Sequence, residues 1–332
     1  MSKTLTISIA AYNVEQYIRE TLNSLVNSKY IDDLEIFVVD DGGTDLTFEI
    51  AREFQQKYPE SVIPVHKING GYGSTVNYSL EHATGKYFKL LDGDDWFQTE
   101  ELDKLVEKLK TITTDVVVNP YLKGNIGSMH TVGFKNYLPI NEEIKICDID
   151  NQPTIGMWAL CYKTSVLKKA SLKLPEKIFY TDQIFCTIPI AYADSIQYLD
   201  YYIYCYRLGR DGQSVSKDSR IRNCQMTMDI CKSLIEFTKK EQNNKNYNYL
   251  LNRVASYYFS ALKTILLSPM SKEIKNRFKT FDSLIKGLSL DIYKSAESNG
   301  KLGKMIVLSR KTNYFALYLV KILYPKGIEN WG

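Results

Sequence analysis

Two crowds of carboxylates, each arriving directly after an apolar β-like run, restrict what this chain can fold into. The first is Val38-Val39-Asp40-Asp41-Gly42-Gly43-Thr44-Asp45, fed by Leu34-Glu35-Ile36-Phe37. The second is Leu90-Leu91-Asp92-Gly93-Asp94-Asp95-Trp96, fed by Tyr87-Phe88-Lys89. Unpaired charges are too costly to bury as core filler, so acids at strand ends mark a site. Open α/β sheets bind ligands outside the carboxyl ends of their strands, and two acidic strand ends therefore point to one shared site. The spacing Asp92-x-Asp94 offers hard oxygen ligands suited to Mg²⁺ or Mn²⁺, ions that usually also engage a diphosphate.

The surrounding pattern alternates strand and helix. Leu5 to Ala11 reads as a buried strand, after which Asn13 is expected to cap a helix bearing Tyr17, Ile18, Leu22, Leu25 and Val26 at helical spacing. Thr44 or Asp45 opens the next helix, Val62 to Val65 forms a third strand, and Asn69-Gly70-Gly71-Tyr72-Gly73-Ser74 is a glycine-rich turn into a helix with Val76 and Leu80. Lys86 to Leu91 is the fourth strand and Asp115 to Val118 another. Such alternation predicts a mostly parallel α/β sheet flanked by helices. Beyond Ser219 glycine and proline thin out and apolar residues recur at helical spacing, predicting a helical C-terminal region of about four helices. The expected division is 1–218, with halves 1–118 and 119–218, followed by 219–332.

Composition narrows the class. A net charge of +4 in 332 residues gives no argument for a nucleic-acid partner. The six cysteines form no Cys-x-x-Cys and no metal spacing with histidine, which reads as buried free thiols. No run reaches the roughly 18 apolar residues of a membrane span. The first strand begins within a few residues of Met1, leaving no room for a signal peptide and predicting a cytoplasmic location. The three histidines share no motif and read as surface or packing residues.

Five motifs stand in one order: Ser8-Ile9-Ala10-Ala11-Tyr12-Asn13, Val39 to Asp45, Asn69-Gly70-Gly71, Ala83-Thr84-Gly85-Lys86-Tyr87, and Leu91-Asp92-Gly93-Asp94-Asp95. Together they resemble the nucleotide-binding half of family-2 glycosyltransferases with the GT-A fold, over residues 4–118 and more thinly through Tyr180-Thr181-Asp182-Gln183 to Arg207 and Ser214. The resemblance implies a metal-dependent (Mn²⁺ or Mg²⁺), inverting transferase of the bacterial glycan-assembly type. It would move a sugar from a nucleotide diphosphate sugar to a hydroxyl of a glycan, lipid-linked or protein-linked acceptor.

The roles it implies fall on particular residues. Ala10 and Tyr12 would line the nucleotide, Tyr12 stacking on the base or serving as a packing aromatic. Asp41 would accept the imide N–H of uracil, favouring a UDP-sugar, or act as a turn residue, with Asp40 supporting the turn. Asn69 and Gly71 would let backbone approach the donor, and Asn77 would bond a sugar hydroxyl where the family often has arginine. Asp94 would bind the metal, Asp92 the metal or the ribose, and Asp95 would stand behind them or cap a helix. Asp182 matches the second position of the family's Glu-Asp pair, Thr181 replacing the glutamate, and is the expected general base; its alternative is a helix cap. Arg207 and Ser214 would close over the diphosphate. Trp158 either stacks on the acceptor or packs in the core.

Two other classes compete. A sugar-1-phosphate nucleotidyltransferase would want a basic glycine-rich loop after the first strand, which Ala10 to Glu15 lacks. A non-catalytic GT-A-like scaffold would have no use for intact acidic clusters. The last segment, with apolar residues at 305, 308, 315, 319 and 322 beside Lys304, Arg310, Lys311 and Lys321, fits three readings: an interfacial helix on lipid, a homo-oligomer contact, or a final core helix.

Overall fold

In the computed structural model, which describes residues 3–323 apart from 151, 211 and 299, the chain forms two compact units, Met1–Arg210 and Asp211–Gly332. The first unit opens with β1 (Leu5–Ala11), α1 (Ile18–Val26), β2 (Leu34–Asp40), α2 (Thr47–Lys57), β3 (Val62–His66), α3 (Tyr72–His82) and β4 (Tyr87–Asp92). β1 and β2 are buried on both faces, as strands covered by helices on each side must be. They pair in parallel in the order β3-β2-β1-β4. The register sets Ala11 opposite Asp40 and Ala10 opposite Asp92, so both acidic strand ends flank the carboxyl end of β1.

The chain continues through β5 (Trp96–Phe97), α4 (Thr99–Thr111), β6 (Val116–Val118), β7 (Tyr121–Asn125), β8 (Ser128–Val132), β9 (Glu143–Lys145), β10 (Leu160–Lys163), α5 (Thr164–Lys169), α6 (Asp182–Phe185), β11 (Ser195–Tyr198) and β12 (Tyr204–Arg207). β10 inserts antiparallel between β4 and β6, and the large sheet runs β3-β2-β1-β4-β10-β6-β11-β9. Only β9 and β10 oppose the common direction among the described residues, so the sheet is mostly parallel, as the alternation predicts. A second sheet, β5-β12-β7-β8, begins where the turn after Asp92 delivers Trp96. The acidic turn is thus the hinge line between the two sheets.

One local expectation fails. Asn13 does not cap α1: it sits at φ 51°, and its side-chain oxygen accepts the Thr44 N–H at 2.9 Å. A residue in that left-handed conformation ties two loops together instead of starting a helix, and α1 begins only at Ile18.

The second unit carries α7 (Lys217–Arg222), α8 (Cys224–Lys240), α9 (Tyr247–Ile265), α10 (Lys272–Leu288), α11 (Leu290–Ser295), α12 (Gly300–Lys311) and α13 (Tyr318–Leu323). Four of these are long, in line with the helical reading. Their interior holds a buried charge. Asp282 is fully enclosed and accepts bonds from Arg310 Nε at 3.0 Å, Arg310 Nη2 at 2.7 Å, the Tyr314 hydroxyl at 2.7 Å and the Tyr258 hydroxyl. The Arg310 guanidinium lies 3.5 Å from the Tyr293 ring centroid and also pairs with Glu297 at 2.9 Å. With Leu302, Gly303, Ile306 and Ser309 also buried, α12 is an integral core helix. Tyr324, the end of the apolar segment marked in the sequence, lies outside the described residues.

Removing one partner of a buried ion pair strands the other and costs about 3–5 kcal/mol. Arg310→Met should therefore lower the thermal midpoint of the protein sharply, whereas Lys279→Met, at an exposed hydrogen bond, should change it little. Equal midpoints for the two variants would show that the Asp282 network does not hold these helices.

Candidate active site

The turn Asp92-Gly93-Asp94-Asp95 is fixed by backbone and side-chain bonds from three directions. Gly93 N–H donates to Ala10 O at 3.0 Å, and a Cβ there would press on that same oxygen. The Thr21 hydroxyl, on α1, bonds Gly93 O and Asp95 O at 3.1 and 2.6 Å. From β12, the Tyr204 hydroxyl donates to Asp95 Oδ2 at 2.7 Å and accepts the Asp92 N–H at 3.1 Å, while Arg207 N–H donates to Asp95 Oδ1 at 2.8 Å. Asp95 is therefore the strut between the acidic turn and the second sheet. Burial pushes its acid well above the usual carboxylate range, with the Asp92 and Asp94 charges adding to the effect.

The three carboxylates have oxygens within 4.8 Å of one another. Asp92 Oδ1 is shut from solvent and has no partner at full hydrogen-bond geometry, the Tyr72 hydroxyl approaching the carboxylate closely enough to lower its acid somewhat. Burial, then the charges of Asp94 and Asp182, push the Asp92 acid up to about 8. An orphaned carboxylate oxygen among hard donors is the environment a divalent cation relieves, so the residues fit Mg²⁺ or Mn²⁺. Asp94 is 7% exposed, more enclosed than an open cleft residue, and its Oδ2 is paired with the Arg210 guanidinium.

Asp182 reaches this cluster from 90 residues away. It is the first residue of α6, half-buried, and its charge acts on Asp92, Tyr72 and Tyr206. Gln183 Nε2 donates to its Oδ2 at 2.8 Å. The preceding Thr181 is fully buried, with a hydroxyl that finds no partner. Tyr72, at the start of α3, places its hydroxyl 3.1 Å from Met157 Sδ; burial, then the Asp92 and Asp182 charges, push that phenol up.

The first acidic cluster lies on the other side of β1. Asp40 is buried and accepts His66 Nδ1 at 2.5 Å and Gly43 N–H at 3.1 Å, a turn support as read from the sequence. Asp41 is surrounded by donors: Gly70 N–H at 2.9 Å, Gly71 N–H at 2.7 Å, Lys67 Nζ at 2.8 Å and the Ser74 hydroxyl at 3.2 Å. Three of these bonds fall on Oδ1 and only that of Gly71 on Oδ2, so Oδ2 keeps acceptor capacity for a ligand N–H. Beside it Tyr12 is 53% exposed at the end of β1, Ala10 is half-buried and Asn69 is exposed.

Several expected roles are corrected. Asn77 does not face a ligand: its amide bonds both the carbonyl and the N–H of Leu174, at 2.9 and 2.8 Å, stapling α3 to the 174–178 segment. Gly71 stands at φ 79°, and the backbone of Lys177 lies 3.0 Å from where a Cβ would be, so the fold itself requires glycine there. Gly73 likewise makes room for Pro175 O. Arg207 does not sit on a closing loop. It is buried on β12, bonded through Nε to Asp94 O at 2.8 Å and paired with Glu20 at 2.6 Å, its guanidinium carbon 4.7 Å from the Trp96 ring centroid. Ser214 belongs to the second unit. Trp158 stacks on Tyr206 at 4.5 Å and lies 5.4 Å from Tyr121, so packing engages the indole.

Arg210, Tyr72 and Tyr206 were not singled out in the sequence, although Tyr72 stands inside the glycine-rich turn and Arg210 three residues past Arg207. Lys89 was read as part of a strand. It is buried and bonds Trp158 O at 2.9 Å and Leu160 O at 3.2 Å, fixing the segment that carries Trp158; burial pushes its ammonium down to about 8.

Comparison with known proteins bears on the family and the fold. The model of the family described as glycosyl transferase family 2 matches residues 6–173. A poly(ribitol-phosphate) beta-glucosyltransferase of Bacillus spizizenii is 31% identical over 215 residues, 64% of this chain and 33% of that protein. The chain spans about a third of the length of two of the curated relatives it matches. S. aureus TarS 1-349, in a crystal structure with UDP-GlcNAc, superposes with a TM-score of 0.72 at 20% identity, covering 97% of this chain and 91% of that one. The mannosyltransferase PcManGT of Pyrobaculum calidifontis, solved with GDP-Man and Mn²⁺, gives 0.52 at 17% identity over 98% and 88%. These likenesses establish the fold, and with the family model covering half of the sequence, the chain belongs to glycosyl transferase family 2.

Proposed function

We propose that this protein transfers a sugar, with inversion, from a nucleotide diphosphate sugar to an acceptor hydroxyl at the carboxyl edge of β1, β2 and β4. The observation that carries this reading is that the charge of Asp182 reaches Asp92 within the Asp92-Asp94-Asp95 cluster, a candidate base set against a candidate cation site. Tyr12 offers an exposed ring to the base, and Asp41 Oδ2, which takes only the Gly71 N–H, an acceptor for a pyrimidine imide. That pairing favours uridine, as does the UDP-GlcNAc bound by TarS. PcManGT holds a GDP-sugar, so the fold alone does not choose the base. The poly(ribitol-phosphate) enzyme among the relatives directs attention to a surface-glycan or wall-polymer hydroxyl as acceptor.

Asp94 and Asp92 would hold Mn²⁺ or Mg²⁺, whose chemistry is to neutralise the charge of the departing diphosphate. The protein's own part is positioning and proton transfer. As the acceptor oxygen bonds to the anomeric carbon, the bond from that carbon to the diphosphate oxygen breaks on the opposite face. The acceptor's proton passes to the Asp182 carboxylate, which Gln183 orients. A non-catalytic scaffold has no need of an orphaned Asp92 oxygen beside a second acid.

Three measurements test this. UDP-sugars incubated with the protein should be hydrolysed slowly with Mn²⁺ and not in EDTA, and UDP should bind more tightly than GDP; metal-independent turnover or equal affinities would contradict the donor and metal assignments. Asp182→Asn should cut transfer by about 10²–10⁴-fold with UDP binding retained, and wild-type product should show inverted anomeric configuration by NMR. Full activity in that variant, or retention, would remove Asp182 from the chemistry. Finally, the Asp92 acid is raised to about 8 in the fold against about 4 in an unfolded chain. The folded state then binds more protons between those values, so the stability penalty is absent below about pH 4, grows as pH rises and is complete above about pH 8. Asp92→Asn should raise the thermal midpoint of metal-free protein at alkaline pH, lose that advantage near pH 4, and abolish turnover. A lower midpoint at every pH would show that the crowding is not a real strain.

A further inference from the structure

We propose that the face built from the end of α12, the 315–322 segment and the adjoining side of α10 is a seat for an anionic lipid surface. From Gly300 to Leu323 the chain has five cations, Lys301, Lys304, Arg310, Lys311 and Lys321, and no aspartate or glutamate. Arg310 turns inward to Asp282, whereas Lys301, Lys304 and Lys311 are exposed. Between the helices the backbone reverses through two left-handed residues, Asn313 at φ 48° and Tyr314 at φ 66°. Tyr314 and Leu317 take the inward positions, and the turn leaves Phe315, Leu319 and Ile322 facing outward at 60%, 45% and 76% exposure, with Leu308 at 45% before them.

Amines border the Phe315 end of this segment. Lys275 Nζ lies 4.3 Å from the Phe315 ring centroid and 5.7 Å from that of Tyr318, and Lys279 Nζ bonds Asn313 Oδ1 at 2.8 Å. The nearby acid of α10, Glu273, is paired with Arg277. Outward aromatic and aliphatic groups bordered by lysines have the composition of an interfacial surface: the apolar groups enter the acyl boundary and the amines meet phosphate headgroups. A second copy fits less well. A two-fold contact would set this cationic face against itself, whereas an anionic bilayer supplies the opposite charge. Among the described residues no helix is long and apolar enough to cross a membrane, so the contact would be peripheral.

The test uses the full chain in sedimentation with vesicles of equimolar phosphatidylcholine and phosphatidylglycerol, beside vesicles of phosphatidylcholine alone. The protein should pellet with the anionic vesicles and be released by high salt. The double variant Lys304→Glu/Lys311→Glu should weaken binding by at least tenfold, each lysine near such a surface being worth about fivefold, and Leu319→Ser/Ile322→Ser should weaken it comparably. All four positions are outside the core, and an unchanged thermal midpoint certifies the fold. Failure of the wild type to pellet with anionic vesicles would overturn the proposal. So would undiminished binding by both variants, or a dimer in light scattering that only Leu319→Ser/Ile322→Ser dissolves while vesicles are ignored.

Discussion

The Asp95 carboxylate holds the two sheets of the first unit in register. By accepting the Tyr204 hydroxyl and the Arg207 N–H it fastens β12, and with it the second sheet, to the turn that ends β4. That single anchoring has chemical consequences. It brings Tyr206 beside the acids and fixes Arg207 so that its Nε caps the Asp94 carbonyl. Buried carboxylates with two well-made hydrogen bonds are tolerable; their neighbours with fewer are not. With Asp95 bonded to β12, Asp92 and Asp94 are the acids left with oxygens for a cation, and a cation would favour the ionised form of Asp92 that burial disfavours.

The opposite edge of the site follows a different logic. Asp41 organises a loop: the glycine turn 69–74 wraps its backbone N–H groups around the carboxylate, and Lys67 and Ser74 complete the shell. Gly71 and Gly73 are needed because segment 174–178 packs directly against that turn. Asn77 then fastens the same segment through Leu174. The segment leads through Tyr180, at φ 67°, into Asp182. The glycine turn, α3 and the approach to the candidate base are therefore one connected support, and a change at Asp41 or Gly73 would be felt at Asp182.

Much of this was legible in the sequence, for identifiable reasons. Strands such as β1 and β2 are buried on both faces, so their apolar runs were unambiguous, and acids at their ends stood out by contrast. The position of Asp182 came from resemblance to a family, since nothing local in Tyr180-Thr181-Asp182 declares what it faces. The misreadings share one cause. Asn13 reads locally as a helix cap, and Asn77 and Arg207 as ligand contacts, yet each has partners distant in sequence: Thr44, Leu174, and Glu20 with Asp94. Side-chain bonds spanning 31 to 187 residues leave no periodic trace. The insertion of β10 against the parallel direction was hidden for the same reason, because strand direction depends on a long connection and not on composition.

The central claim is that the Asp92-Asp94 turn, where Asp92 has no cation of its own and Asp94 has only Arg210, is a seat for a divalent ion that bridges to a diphosphate. Crystals grown with UDP and Mn²⁺, measured at the manganese absorption edge, test this directly. An anomalous peak between the Asp94 and Asp92 carboxylates and the diphosphate of the bound nucleotide, with Arg210 moved off Asp94, is the predicted result. Nucleotide bound without such a peak, and Arg210 still paired with Asp94, would contradict it.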